Sequence, residues 1–267
     1  MKSFISYFII SFSIICPLYS FSDSIILQST SSSRDSGLLN FLIPKFTESS
    51  DIKVKVVASG TGQALRNARD CNGDLLLVHS LQDELKFISD GFGLKRYELM
   101  TNDYVLVGPS SNPANLSMSD SPKETFTKIF MSNVKFISRS DDSGTNKKEL
   151  SLWQQYSFNY NEFSPSWYIR SGQGMGSTLN IAIGLNGYTF SDRSTWIKFQ
   201  NKSNHKILYE SPNDLLNTYS IVTINYEKCP NIKFQKAMKF VNWLLSTEGK
   251  SLINSYKIDG QQVFFAK

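Results

Sequence analysis

The chain repeats one unit several times: a short apolar strand, a loop of Ser, Thr and Gly, and an amphipathic helix. In the first copy, a strand at residues 24–27 runs into the serine-rich loop 29–33. A helical pattern follows, with apolar residues at positions 38, 39, 42, 43 and 46, which is the spacing of one helix face. Such alternation predicts an α/β fold in which mostly parallel sheets are flanked by helices.

The later copies of the unit suggest a division into two lobes. We interpret the strand that ends at Val107 as a crossing into a second lobe and the run from Tyr219 as the return. The expected lobes are residues 23–107 together with 220–267, and residues 108–219, joined by a two-stranded hinge. The predicted strands that support this division lie at residues 53–58, 74–78, 104–107, 134–137, 167–169, 188–190 and 219–224.

The first 22 residues have the order of a cleavable export signal. They begin with Lys2, continue with an apolar run at residues 4–18 and end in small residues before Asp23. The apolar run is too short to cross a membrane comfortably, since a spanning helix needs about 20 apolar residues. We therefore expect a mature protein that begins at Asp23 and works in the periplasm.

The cysteines fit an exported protein but leave their pairing open. Cys16 follows two isoleucines rather than the small residues of a lipoprotein signal, which disfavours a lipid anchor. Cys71 and Cys229 remain after cleavage and meet an oxidising compartment. Both a disulfide and two separate buried thiols are compatible with the sequence, because sequence does not give their geometry.

The charge of the chain favours small anionic partners over nucleic acid. Its formal net charge is +5, and the lysines are scattered along the sequence. A nucleic-acid-binding protein would concentrate its basic residues on one face. A mild positive charge attracts small anions, although it also simply keeps an exported protein in solution.

Four loops share one position, after a predicted strand and directly before a predicted helix. The start of a helix presents unpaired backbone N–H groups and the positive end of the helix dipole, which favour a bound anion. For any one loop taken alone, ordinary helix capping by Ser or Thr is the better explanation of the composition. Four such loops, two in each expected lobe, favour a shared anion site. The candidate ligand-binding residues in them are Thr30, Ser31, Ser32, Thr61, Gly62, Ser143, Gly144, Thr145 and Gly174.

Arg139 adds a cation to the third of these loops. It stands four residues before Ser143, so it supplies a fixed charge beside a group of neutral donors. Asp141 or Asp142 is expected to hold its guanidinium group in place. The alternative is a surface arginine that only pairs with these aspartates.

Catalysis, cofactors and bound cations have little support in the sequence. The two histidines, His79 and His205, lie far apart and no Gly-x-Ser-x-Gly elbow accompanies them. We interpret His79 as a packed structural histidine at the end of a buried strand and expect His205 to be exposed. The glycine loops lack the lysine of an ATPase phosphate loop and the spacing of a dinucleotide fingerprint. No cluster of Cys, His and carboxylates has the spacing of a metal site.

Six segments make the chain resemble the periplasmic tungstate-binding proteins of ABC importers. The resemblance covers nearly the whole mature chain and departs at Ser140, where the family has glycine, and at residues 218–220, where it has Pro-Tyr-Gly. The segments are Asp-Ser-Gly-Leu-Leu at 35–39, Gly-Thr-Gly-Gln-Ala-Leu at 60–65, Leu-Leu-Val-His at 76–79, Asp-Asp-Ser-Gly-Thr at 141–145, Gly-Gln-Gly-Met-Gly at 172–176 and Asp-Gly-Gln-Gln at 259–262.

The resemblance implies a two-lobed, type II-like periplasmic binding protein. Such a protein closes on tungstate, or on molybdate, and delivers the oxyanion to a membrane permease and its ATPase. It implies a monomer without catalytic residues or a cofactor, and a site of preformed donors that does not depend on a titrating side chain. The order of residues 139–145 is also similar to the anion loop of phosphate-binding proteins, which leaves phosphate or sulfate as alternatives. An exported enzyme acting on a phosphoryl compound is the alternative of another class.

Overall fold

A computed structural model describes residues 23–267, and the predicted export signal at residues 1–22 lies outside them. The strands are β1 Ser24–Thr30, β2 Lys53–Ser59, β3 Leu75–Val78, β4 Gly93–Pro109, β5 Phe136–Ser138, β6 Tyr168–Arg170, β7 Tyr188–Asp192, β8 His205–Glu210, β9 Leu216–Ile224, β10 Lys257–Ile258, β11 Gln261–Gln262 and β12 Phe265–Ala266. The helices are α1 Ser31–Asp35, α2 Leu38–Ser50, α3 Thr61–Arg69, α4 Leu81–Ser89, α5 Pro122–Ser132, α6 Gly144–Gln155, α7 Met175–Gly184, α8 Arg193–Lys198, α9 Phe234–Leu245 and α10 Thr247–Ser255. None of these helices is long and apolar enough to cross a membrane.

Two sheets organise the fold, and both are mostly parallel, as predicted. The first sheet has the order β2-β1-β3-β9-β4, with β12 on the free side of β4. In it β1, β2, β3 and β4 run in one direction, whereas β9 and β12 run in the other. The second sheet consists of β8, β4, β7, β5 and β6, and there only β4 opposes the rest. The result is a two-lobed α/β architecture in which each lobe is built on one sheet.

The long strand β4 belongs to both sheets. It pairs with β9 in the first sheet through Asp103 and with β7 in the second sheet from Tyr104 onward. The chain returns from the second sheet to the first between Glu210 and Leu216. The change of sheet within β4 thus falls four residues before the expected crossing at Val107, because an unbroken strand carries no signal of where its partner changes. The lobe boundaries themselves remain a prediction.

Each lobe has its own core. In the first lobe, apolar residues of β1 and β3 pack against α2 and α9, with Phe46 and Phe240 in ring contact at 4.8 Å between centroids. In the second lobe, an aromatic cluster surrounds Trp153, which is fully buried against Phe126 and Phe136. These cores fix the positions of the strands, so the loops that follow the strands are held facing each other.

A disulfide joins the two chain segments of the first lobe. Cys71, in the turn after α3, is bonded to Cys229, which follows β9, and their Cα atoms are 5.3 Å apart. The structure therefore decides between the two alternatives that the sequence left open. The bond links residues 158 positions apart in the chain.

Candidate functional site

Loops from both lobes meet between the two sheets. Gly144, the first residue of α6, donates its N–H to Thr61 Oγ1 of α3 at 3.1 Å. A Cβ atom at Gly144 would lie 2.5 Å from the His79 ring, and one at Gly62 would lie 1.9 Å from an oxygen of Asp142. Glycine at these two positions allows a close approach of the lobes that a side chain would obstruct.

The candidate residues Arg139 and Thr145 carry buried donors without a partner. Arg139 is only 2% exposed, and its Nη2 donates to Asp141 Oδ2 at 2.6 Å. Its Nε and the Thr145 hydroxyl are buried, yet neither has a hydrogen-bond partner within residues 23–267. A buried polar group without a partner costs about 1–3 kcal/mol. Two such donors in the segment 139–145 therefore favour a ligand that accepts hydrogen bonds. Arg139 is thus no surface arginine, and Asp141 is the aspartate that holds it.

The strand end in front of Arg139 is anchored by a buried acid. Glu149 of α6 accepts hydrogen bonds from the hydroxyl of Ser138 at 2.7 Å, from Tyr168 at 2.6 Å and from Trp153 Nε1 at 3.1 Å. Burial raises the pKa of Glu149 to about 7 in spite of these donors. The network fixes Ser138, and with it the start of the loop that carries Arg139.

The hydroxyls of the first loop form a cluster at the start of α1. Thr30 caps the helix by accepting the N–H of Ser33, and its Oγ1 lies 2.8 Å from Ser33 Oγ and 3.2 Å from Ser32 Oγ. Ser143 caps α6 in the same way by accepting the N–H of Asn146. Ser31 is half-buried, and no side-chain hydrogen bond to it occurs in the described part of the chain. Thr30 and Ser143 therefore act as helix caps, which is the alternative explanation that the sequence left open for these loops.

Gly174 has open space around it, unlike the crowded candidates Gly62 and Gly144. It is the N-cap of α7 and is exposed, and a Cβ atom added to it would meet nothing within 4 Å. The loop in front of it touches the site indirectly, because Ser171 Oγ donates to the backbone carbonyl of Arg139 at 3.1 Å.

A buried polar network beneath the first loop was not predicted as part of the site. His79 is 6% exposed, its Nε2 lies 3.2 Å from Ser32 Oγ, and its Nδ1 lies 3.0 Å from Asn217 Oδ1 and 3.2 Å from the Tyr104 hydroxyl. The ring of Tyr219 packs against it in a tilted arrangement, at 4.7 Å between centroids. Burial lowers the pKa of His79 to about 4. The nearby charges have smaller effects: Asp192 raises this pKa and Arg139 lowers it. One signal was available in the sequence: His79 follows β3, whose neighbour β1 ends at the first loop.

The expectation that His205 is exposed was wrong. His205 begins β8 and is 5% exposed, and its Nε2 lies 3.1 Å from the carbonyl oxygen of Gly187. The strand β8 was not recognised in the sequence. Pairing of β8 with β4 places the histidine under the turn that contains Gly187 rather than in solvent.

Four charged side chains alternate in sign across the mouth between the lobes. Lys147 of α6 lies 2.6 Å from Asp83 of α4 and 3.1 Å from Asp142, and Asp142 lies 4.0 Å from Arg66 of α3. Asp83 and Arg66 belong to the first lobe, whereas Lys147 and Asp142 belong to the second. The chain of charges therefore joins the lobes outside the candidate ligand site.

Comparisons with known proteins agree with this geometry. Residues 20–248 match the family described as the PBP superfamily domain. The chain is 41% identical over 236 residues to the tungstate-binding protein TupA of Peptoclostridium acidaminophilum. The aligned region covers 87% of this chain and 81% of that protein. Among solved structures, the tungstate-binding protein TupA from Desulfovibrio alaskensis G20 has a TM-score of 0.81 and 38% identity, over 92% of this chain and 99% of that chain.

The structure of the tungstate ABC transporter from Geobacter sulfurreducens is similar as well, with a TM-score of 0.79 and 36% identity over 87% of this chain and 98% of that chain. The family match covers most of the chain, and the curated relative is similar along most of its own length. The chain therefore belongs to the PBP superfamily and, within it, to the family of the TupA proteins.

Proposed function

We propose that this protein captures tungstate between its lobes in the periplasm and delivers it to the permease and ATPase of an ABC importer. The observation that carries the proposal is the pair of buried, unpartnered donors at Arg139 and Thr145, between lobes that already touch. A tetrahedral dianion supplies the acceptors that these donors lack. The names of the TupA relatives support tungstate as the ligand. The protein binds and releases its ligand without turnover, and it requires no cofactor.

The donors explain how a dianion can be held with one arginine. A buried charge without hydrogen bonds is far more costly than a missing hydrogen bond, so a site for a dianion needs many donors. The starts of α3 and α6 provide backbone N–H groups, and Thr145 provides a hydroxyl that has no partner among the residues described. Thr30 holds the hydroxyls of Ser32 and Ser33, and Thr61 holds the start of α6 through Gly144. Selection against sulfate then depends on the size of the space that the closed lobes leave.

Calorimetric titration of the exported chain tests this function. We expect saturable heat with tungstate and with molybdate, and much weaker binding of sulfate and phosphate. Tighter binding of phosphate than of tungstate would make the protein a phosphate-type binding protein. The absence of heat with all four oxyanions would overturn the proposal.

Lys147→Met tests whether the charges at the mouth stabilise the closed form. We expect tungstate affinity to fall about two- to fivefold, chiefly through faster dissociation, because a partly exposed ion pair contributes up to about 1 kcal/mol. Lys148→Met is the matched control: it removes the same charge from the next position of α6, and Lys148 forms no ion pair across the mouth within the described residues. Dissociation rates are measured by stopped flow at low and high salt. Equal effects of both substitutions would mean that overall charge, rather than the Lys147–Asp83 pair, is responsible.

A further inference from the structure

His79 contacts residues of both lobes beside the proposed site. From the end of β3 its ring reaches Ser32 in the first ligand loop, Tyr104 on β4 and Asn217 on β9. The ring also occupies the space beside Gly144, at the start of α6 in the other lobe. A change in the state of this one side chain therefore affects the two candidate loops that carry Ser32 and Gly144, and also the strands β4 and β9.

The hydrogen-bond partners of His79 define which of its ring nitrogens carries hydrogen. Asn217 Nδ2 donates to Asn102 Oδ1 at 2.7 Å, so the Asn217 oxygen is the atom that faces His79. A carbonyl oxygen only accepts, and His79 Nδ1 must therefore donate to it. A neutral imidazole has one N–H, which leaves Nε2 as an acceptor and makes the Ser32 hydroxyl its donor.

This arrangement turns the Ser32 hydroxyl hydrogen away from the ligand. A hydroxyl has a single hydrogen, so Ser32 cannot donate to His79 and to a bound oxyanion through the same group. In the neutral network Ser32 thus offers only its backbone N–H to an anion. The predicted role of its side chain as a ligand donor requires the bond to His79 to be reversed.

The buried charges around His79 are unfavourable for a dianion. Arg139 is already paired with Asp141 at 2.6 Å. Asp192, at the end of β7, is fully buried and accepts hydrogen bonds from Ser194 and Thr195, and it forms no ion pair within residues 23–267. The charges of Asp192 and Arg139 both reach His79, from β7 and from the loop after β5.

The remaining ionisable groups packed against His79 are neutral hydroxyls. They belong to Tyr104 on β4 and Tyr219 on β9, and burial raises the pKa of each well above its ordinary value. On the neighbouring helix α4, Asp83 is paired with Lys147. Arg139 and Asp141 cancel each other's charge, so Asp192, which has no ion-pair partner in the described chain, makes the buried surroundings of His79 negative. A dianion that enters this site adds two further negative charges.

We propose, on the basis of the tungstate-binding function, that His79 takes up one proton when the dianion binds. Its Nε2–H then donates to Ser32 Oγ, the Ser32 hydroxyl turns to donate to the ligand, and the imidazolium charge offsets part of the dianion. The proton comes from water and returns to it on release. A cavity of about 570 Å³ lined by His79, Lys147 and Thr218 provides room for this water. The resemblance to the family had instead suggested a site that does not depend on a titrating side chain.

The direction of the pH effect follows from linkage. In the absence of ligand, burial holds the pKa of His79 at about 4. A nearby dianion favours the charged imidazole and raises this pKa. Between the two values only the complex is protonated, so affinity increases as pH falls through the higher pKa, by at most about tenfold per pH unit, and levels off below the lower one.

Calorimetry of tungstate binding between pH 5 and 8, in buffers of different ionisation enthalpy, counts the protons taken up. We expect an uptake between zero and one proton per ligand that grows as pH falls. His79→Gln should remove the uptake and flatten the pH dependence, since an amide can donate to Ser32 but cannot gain a proton. His205→Gln changes the second of the two histidines, outside the site, and should behave as the parent protein.

The outcomes separate this inference from the proposed function. If the parent protein does not bind tungstate, the function itself is wrong. If it binds with the same heat in all buffers throughout the pH range, or if His79→Gln keeps the uptake, His79 is not the proton acceptor. Should His79→Gln fail to fold, the imidazole nitrogen resonances of the parent protein decide, because both must become protonated on addition of tungstate.

Discussion

Arg139→Ala is expected to weaken tungstate binding by roughly tenfold to a hundredfold. The substitution removes a charge-assisted hydrogen bond to the ligand, which contributes about 1.5–3 kcal/mol. It also leaves Asp141, the partner of the guanidinium at 2.6 Å, as an unpaired negative charge beside the site. Calorimetric titration at physiological salt measures the affinity, and a thermal melt confirms that the variant is folded.

Two further substitutions show whether the contact is specific. Arg139→Lys should recover only part of the affinity, because an ammonium group cannot reproduce the planar fork of a guanidinium. Thr145→Val keeps the shape of the side chain and removes its buried, unpartnered hydroxyl, so it should weaken binding less than Arg139→Ala but in the same direction. If Arg139→Ala binds tungstate as tightly as the parent, the site is not in this loop.

Loss of the disulfide is expected to lower the free energy of unfolding by about 2–5 kcal/mol. Cys71 and Cys229 are 158 residues apart, so their bond restricts a large part of the unfolded chain. The test is urea denaturation of the Cys71→Ser, Cys229→Ala double variant, with alanine at position 229 because Cys229 is only 1% exposed.

The same experiment under reducing conditions provides the control. A reductant should destabilise the parent protein by a similar amount and leave the double variant unchanged. Tungstate affinity should change little in the variant, because Cys71 follows the end of α3 opposite to the one that carries Thr61. A variant as stable as the oxidised parent would show that the bond contributes no stability.

Several elements were predictable from local pattern alone. The helix α9 is one of them, because its buried apolar residues, Ala237, Phe240, Val241 and Leu244, keep the helical period without interruption. By contrast, α3 and α6 begin earlier than their apolar patterns do, at Thr61 and Gly144, because their first turns consist of the small and polar residues of the predicted ligand loops. The same residues that point to a function therefore obscure the start of the helix.

The strand β4 shows where local pattern fails. Residues 104–107 were expected to be a strand, whereas the observed strand starts at Gly93. Its first half contains Lys95, Arg96 and Glu98, which break the apolar run. That half is a strand because it pairs with β9, which is distant in sequence. Pairing of this kind is set by the whole sheet rather than by the composition of the segment.

For the proposed site, the sequence indicated the chemistry, and the tertiary structure decided which residues lie near one another. Helix starts that carry Ser, Thr and Gly, with Arg139 beside one of them, indicate an anion site because the donors belong to single loops. The sequence could not show that His79, Asn217 and Asp192 lie beneath these loops, since each comes from a different strand. Nor could it show that Gly174 lies at an exposed helix start, or that Lys147 reaches Asp83 across the mouth. Contacts between distant segments, and the burial that shifts the pKa of His79, exist only once the sheets have placed both lobes against each other.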